Sequence, residues 1–253
     1  MNYNLHTHTK RCGHASGEDE EYVLAAIKAG IKVLGFSDHA PFLFPDGSEQ
    51  NYRIPTSDAE GYINSIKALR EKYANRIDIR IGFELEYYPE HFPAMLSYAK
   101  ELGAEYLILG QHQINYGKVS SYRITDSAEW FSEQVRGTLL GMRSGAFTYV
   151  AHPDIMMLTG ADDVYDSEMR KIARESRELG IPLEINLLGI REGRSYPSEK
   201  FWRIAGEEAS PVTIGIDAHT PSAILNSEAV IRAKSMIEKF DLNYIGQAKI
   251  KKI

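Results

Sequence analysis

The sequence reads as an α/β protein on a parallel sheet, either an open doubly wound sheet or a closed (β/α) barrel. Three observations predict this. Short apolar runs alternate about seven times with longer stretches of helical period, the pattern of βαβ units. No low-complexity linker or internal repeat divides the 253 residues, a length at the upper end of what one core supports. Six of the eight histidines fall at or just after the C-terminal end of an apolar run, the edge where parallel folds assemble their sites.

Taken in order, Tyr3–His8 is the first strand. A helix over Glu18–Ala29 follows, with Val23, Ala26 and Ile27 on one face, Ser16 and Asp19 as its capping box and Gly30 as its stop. Val33–Ser37 is the second strand. The irregular Pro41–Thr56 stretch, carrying Pro41, Pro45, Gly47 and Pro55, has the length of a lid or substrate-binding loop. Asp58–Tyr73 spaces Tyr62, Ile66, Leu69 and Tyr73 at helical intervals. The remaining strands are Ile77–Glu84, Tyr106–Leu109, Tyr149–Ala151, Leu183–Asn186 and Val212–Ile216. The remaining helices are Phe92–Leu102, Ser127–Arg143, Ser167–Leu179, Ser198–Ala205 and Ser227–Phe240.

Composition narrows the function. Apolar residues make up 43% and charged residues 25%, so a packed core is expected and disorder is not. A net charge of −6 disfavours nucleic acid, whose phosphates need a positive field, but leaves room for a local cationic pocket. One cysteine, Cys12, permits no intrachain disulfide. The histidine-rich start lacks the apolar core of a secretory leader, and no run reaches a membrane span. A cytoplasmic enzyme or binding protein, with no membrane and no nucleic-acid partner, is the expectation. A monomer and a homo-oligomer are both compatible with the pattern.

His6 and His8 lie two apart on a strand, so both imidazoles face one side and could chelate one ion. Nearly every strand then delivers a histidine or carboxylate to the same rim: Asp38-His39, Glu84, His112, His152, and Asp217 with His219. Imidazole and carboxylate together suit zinc, iron or manganese. Glu84, in a strand otherwise made of Ile79, Ile81 and Phe83, needs a partner, because a buried charge is costly unless paired or metal-bound.

These segments resemble the polymerase-and-histidinol-phosphatase (PHP) family of metal-dependent phosphoesterases, over nearly the whole chain. His6-Thr7-His8-Thr9, Cys12-Gly13-His14-Ala15 and Phe36-Ser37-Asp38-His39-Ala40-Pro41 look like the first motifs of its histidinol-phosphatase branch. The resemblance implies a single domain over residues 1–253, folded as a distorted (β/α)₇ barrel with two to three divalent ions at its C-terminal rim. Carried over, His6, His8, Glu84 and Asp217 surround one ion. Glu84 bridges to a second, held with His112 and His152, and His14, His39 and His219 hold a third. Leu109-Gly110-Gln111-His112 departs from the Gly-Ser-Val-His of many relatives. Glu86 shares the face of Glu84 and competes for the bridging place; the Gly82-Phe83-Glu84 pattern favours Glu84, leaving Glu86 to back the ligands or face the substrate.

The activity implied is hydrolysis of a small phosphate monoester, with L-histidinol phosphate first. The competing readings are a nucleotide or sugar phosphate, or a metal-binding domain without turnover. Clustered divalent ions activate water, neutralise phosphoryl oxygens and stabilise the leaving oxygen, so neither Cys12 nor a serine is needed as nucleophile. Asp38, beside His39, and Asp154, just after His152, are expected to orient an imidazole or pass a proton to the leaving group; an N-cap or loop role is the alternative for each. In Gly189-Ile190-Arg191-Glu192-Gly193-Arg194-Ser195-Tyr196-Pro197, Arg191 is the first choice for gripping phosphate and Arg194 the second.

Overall fold

A computed structural model describes residues 1–114 and 119–253. The first strand, β1 (Tyr3–Asn4), leads through a 3₁₀ turn at Lys10–Cys12 to α1 (Asp19–Lys28) and β2 (Val33–Phe36). After the long loop come α2 (Ala59–Lys72), β3 (Asp78–Leu85), α3 (Phe92–Leu102) and β4 (Tyr106–Leu109). Three short strands follow: β5 (Gln113–Ile114), β6 (Val119–Ser120) and β7 (Ile124–Thr125). Next are α4 (Ala128–Arg143), β8 (Phe147–Val150), β9 (Met157–Leu158), α5 (Asp162–Leu179), β10 (Leu183–Asn186) and α6 (Leu187–Glu192). The chain ends with α7 (Glu199–Glu207), β11 (Pro211–Gly215), α8 (Ser227–Lys239) and β12 (Asn243–Tyr244).

The main sheet is parallel throughout and runs β1-β2-β3-β4-β8-β10-β11-β12. It closes at the C-terminal rim. Beyond β1, the Thr7 carbonyl accepts from Ser37 N at 2.9 Å on one side, while His8 N donates to the Ala218 carbonyl at 2.9 Å on the other. A parallel bridge pairs Thr7 with Ala218, and the Asn4 side chain accepts from Ile216 N at 2.9 Å. The seven strands expected from the sequence are thus the seven staves of a closed, distorted barrel, and β12 adds to the outside of β11. The ladder of β1 is shorter than Tyr3–His8 because the chain there is shared between two neighbours.

Alternation on the strands sorts the core into two layers. Leu107 and Leu109 of β4 pack outward with Phe83, Leu183 and Ile214 under the helices. Tyr106 and Ile108 point inward with Leu5, Tyr149 and Ala151, and Ala248 joins them there. This dry interior lies beneath the rim and forces any polar site upward.

Four expectations shift. The capping box of α1 is Glu18 with Glu21, whose carboxylate accepts from Glu18 N at 2.7 Å, whereas Ser16 spends its amide on the His219 carbonyl. α5 begins at Asp162 instead of Ser167, because Asp162 and Asp163 complement the positive end of the helix without adding apolar periodicity. The segment after β10, read as loop, starts with the short helix α6, capped by Asn186 Oδ1 accepting from Gly189 N at 3.0 Å. The Pro41–Thr56 loop is a packed wall more than a lid: Phe42, Arg53 and Ile54 are buried.

Candidate metal centre

All nine metal-ligand candidates converge on the rim. His6, His8, His39, Glu84, His112, His152 and Asp217 are at most 3% exposed. Around one tetrahedral ion with bonds of about 2.1 Å, donor atoms stand about 3.4 Å apart. The spacings here match. His6 Nε2 lies 3.1 Å from His8 Nε2, 3.4 Å from Glu84 Oε2 and 3.6 Å from Asp217 Oδ1, and His8 Nε2 lies 3.1 Å from Asp217 Oδ1. The other oxygen of Glu84 is 3.1 Å from His112 Nε2 and 2.9 Å from His152 Nε2, which are 3.3 Å apart. His14 Nε2 and His219 Nε2 are 3.0 Å apart. His39 joins the groups, with Nδ1 3.2 Å from Glu84 Oε2 and its ring 5.2 Å from that of His14.

Two features say that cations belong here. Glu84 Oε2 and Asp217 Oδ1 are buried without a hydrogen-bond partner. Five buried carboxylates, Asp38, Glu84, Glu86, Glu184 and Asp217, share the cluster with one buried arginine, Arg53. Such an excess of buried negative charge is costly unless divalent ions balance it. The donor set fits zinc, iron or manganese.

Glu84, not Glu86, is central, since its two oxygens touch five histidines. The β-structure makes space for it: a Cβ on Gly110 would overlap Glu84 Oε1. Glu86 backs the cluster instead. Its Oε1 lies 3.2 Å from His112 Nδ1 and its Oε2 lies 2.5 Å from Arg53 Nη1. Burial alone would raise the Glu86 pKa, but Arg53 and His112 outweigh it and pull it down to about 2.

Asp38 also sits behind a ligand. Its carboxylate lies 3.2 Å from His8 Nδ1 and accepts from the amides of Thr9 and His39. Asp154 is not brought to the histidines; its Oδ2 accepts from Ser198 N at 2.6 Å, at the start of α7. Burial pushes its pKa up to about 7, with Ser198 opposing.

Sequence reasoning missed Glu184. From the middle of β10 its Oε1 lies 2.8 Å from His6 Nδ1, and its Oε2 accepts from His152 N and from Asn186 Nδ2. A Cβ on Gly215 would overlap it. The signal was present: a glutamate inside an apolar strand, the same reason that singled out Glu84. Arg53 was missed as well.

The electrostatics divide the imidazoles. Burial works against charge on His6, yet Glu184, Asp217 and Glu84 outweigh it and hold its pKa well above the ordinary value. Carboxylates likewise overcome burial at His8 and His112, taking each to about 9. Burial and neighbouring histidines lower His39 and His14, and burial with His8 lowers His219, which favours the neutral form of each. Asp217 (φ 51°) and His152 (φ 30°) adopt left-handed backbone, a conformation that concentrates at functional sites.

A cavity of about 830 Å³ opens above the cluster. His14, His39, His112 and His219 reach it, and Tyr52, Tyr122, Arg123, Arg194 and Tyr196 contribute walls. Arg194 lies under Tyr122, donates to Tyr196 Oη at 2.7 Å and pairs with Glu192. Arg191 does not line this cavity. Its guanidinium donates to the carbonyls of Ile216 at 2.8 Å and Asp217 at 3.0 Å, fastening the backbone of a ligand candidate. The order of preference between the two arginines therefore reverses.

The sequence profile of the PHP domain family matches residues 4–187. The chain belongs to the PHP family. A probable histidinol-phosphatase of Deinococcus radiodurans is 28% identical over 230 residues, covering 87% of this chain and 86% of that one. A probable histidinol-phosphatase of Schizosaccharomyces pombe is 23% identical over 269 residues, covering 94% and 87%. The PHP fold is shared with the histidinol phosphate phosphatase of Lactococcus lactis, solved with zinc, L-histidinol and phosphate. The TM-score is 0.75 at 18% identity over 99% of this chain and 98% of that one. A putative histidinol phosphatase of Listeria monocytogenes superposes with a TM-score of 0.72 at 20% identity over 90% and 99%. Among the described residues no helix is long and apolar enough to cross a membrane.

Proposed function

We propose that the chain is a metal-dependent phosphomonoesterase, with L-histidinol phosphate as substrate and L-histidinol and phosphate as products, working in the cytoplasm in histidine biosynthesis. The observation that carries this reading is the donor cluster beneath a cavity whose wall presents Arg194. The likeness to probable histidinol-phosphatases in sequence supports the choice of substrate.

Two to three divalent ions, when bound, activate water, neutralise the phosphoryl oxygens and stabilise the leaving oxygen. His6, His8, Glu84 and Asp217 would hold one; Glu84, His112 and His152 a second; His14, His39 and His219 a third. The chain's own contribution is to fix these donors. Glu184, Asp38 and Glu86 each face the far nitrogen of a ligating imidazole, at His6, His8 and His112, so the near nitrogen keeps its lone pair for the ion. Arg194 lines the cavity beside Tyr122 and Tyr196, and its planar cation, donating here to Glu192 and Tyr196, would grip phosphoryl oxygens by exchanging those partners. With both Asp38 oxygens engaged, Asp38 orients and does not shuttle protons.

The test is phosphate release by the metal-loaded protein from L-histidinol phosphate and from a panel of nucleotide and sugar monophosphates. The reading expects the highest kcat/KM for L-histidinol phosphate. A clearly better nucleotide or sugar ester would overturn the substrate and keep the chemistry; no turnover of any ester would overturn both.

A further inference from the structure

The Pro41–Thr56 loop buries one full cation. The Arg53 side chain is 2% exposed, yet it comes from a loop and lies outside the ligand set. Its Nη1 meets Glu86 Oε2 at 2.5 Å, its Nε donates to Gln50 Oε1 at 2.7 Å and its Nη2 donates to Tyr52 Oη at 2.8 Å. The guanidinium also sits over the rings of Tyr52, at 4.7 Å, and Phe42, at 5.3 Å. Glu86 passes the contact on to His112 Nδ1, and His112 Nε2 faces Glu84 and His152. One end of the chain of contacts is thus the second donor group. The other is Tyr52, which lines the cavity and whose ring lies 5.9 Å from His39.

We propose that Arg53 is a positioning residue that acts through Glu86 on His112, so that seating the 41–56 loop and loading the second metal position are one coupled event. This rests on the metal-dependent reading above and adds a residue that touches neither ion nor substrate. The physical reason is the cost of an unpaired charge. Without Arg53, Glu86 is a buried carboxylate with one of its two anchors gone, so it no longer holds the His112 ring at the angle that points Nε2 at Glu84 and His152. The loop loses its anchor at the same time, because nothing else in it carries a buried charge. Coupling runs both ways: an ion bound at His112 would fix that ring, and through it the Glu86 carboxylate and Arg53.

The test measures zinc affinity of the metal-stripped protein by competition with a chromophoric chelator, for wild type, R53M, R53K, E86Q and R53M/E86Q. R143Q, which removes an exposed arginine paired with Glu175 on the far helices, is the control. Affinity at one of the zinc-binding steps should fall about 10- to 100-fold in R53M, the usual range for a residue behind a ligand. R53K should recover part of the loss, since lysine keeps the charge and loses the fork. The double variant should lose about what the more damaging of R53M and E86Q loses alone, because Arg53 acts through Glu86. In parallel, limited proteolysis within 41–56 should slow on adding zinc to wild type and should not slow in R53M. Wild-type affinity in R53M, or fully additive losses, overturns the proposal. If R53M does not fold, E86Q and R53K decide: unchanged affinity in both overturns it. Failure of the wild type itself to bind zinc would instead overturn the metal reading on which it rests.

Discussion

At the scale of single residues, His6, His8 and His112 each depend on the carboxylate behind the ring. Glu184→Gln keeps the volume and one acceptor but removes the charge facing His6 Nδ1. It should lower metal affinity and activity by about 10- to 100-fold with little change in far-ultraviolet circular dichroism; equal affinity in mutant and wild type, read by chelator competition, would count against the assignment. The two arginines should separate kinetically. Arg194→Ala removes a cavity wall and should raise KM or lower kcat/KM at unchanged metal content. Arg191→Ala frees the Ile216 and Asp217 carbonyls and should lower metal content first. Metal analysis beside steady-state kinetics distinguishes them, and the opposite pairing would restore Arg191 as the phosphate grip. Gly110→Ala places a methyl group against Glu84 Oε1 and should cost about 1–3 kcal/mol of stability along with metal binding.

At the scale of elements, the strands and their rim were legible because strand ends are where apolar runs stop. His39, Glu84, His112, His152 and Asp217 could be placed on one edge from punctuation alone. The closure was not legible: it depends on Thr7 and Ala218 meeting across the chain's two ends, and the residues left an open sheet and a barrel equally available until the family resemblance decided. Leu187–Glu192 was read as loop because six residues containing a glycine show no helical period; its start is set by the Asn186 cap and by the packing of Leu187, Leu188 and Ile190. Arg53 was invisible for a related reason. A polar residue in an irregular loop carries no periodicity that predicts burial, and its partner Glu86 lies 33 positions away in the sequence. The contacts of Arg191 were not legible because a guanidinium serves phosphate and backbone carbonyls equally well, and the sequence does not say which one it meets.

At the scale of the whole molecule, the cluster ties stability to both pH and metal. In the stripped protein, burial opposes the charge on His8 and His112, but their carboxylate neighbours outweigh it and take each pKa to about 9. A raised histidine pKa lends stability that is complete below the unfolded-state value of about 6.5 and is lost as pH climbs through about 9. Glu84 and Asp217 have the opposite sign: despite burial, the histidines hold them well below normal, so their share is present above about pH 4.5 and lost on acidification. His14, His39 and His219, lowered chiefly by burial, withdraw their share as pH falls below about 6.5, so the stripped protein should melt highest near the upper end of that window, about pH 6.5. Ions displace the protons from the imidazoles, so their stabilisation grows as pH rises. The gap in melting temperature between loaded and stripped protein should widen from about pH 6.5 to 9; calorimetry that finds it narrowing would contradict this balance.

The most direct test of the central claim is to strip the protein with a chelator and titrate manganese or zinc back while following phosphate release from L-histidinol phosphate. The account predicts no turnover in the stripped protein, recovery that saturates at about two to three ions per chain, and no recovery in His39→Ala or Asp217→Ala. Full turnover in the stripped protein, or in both variants, would contradict it.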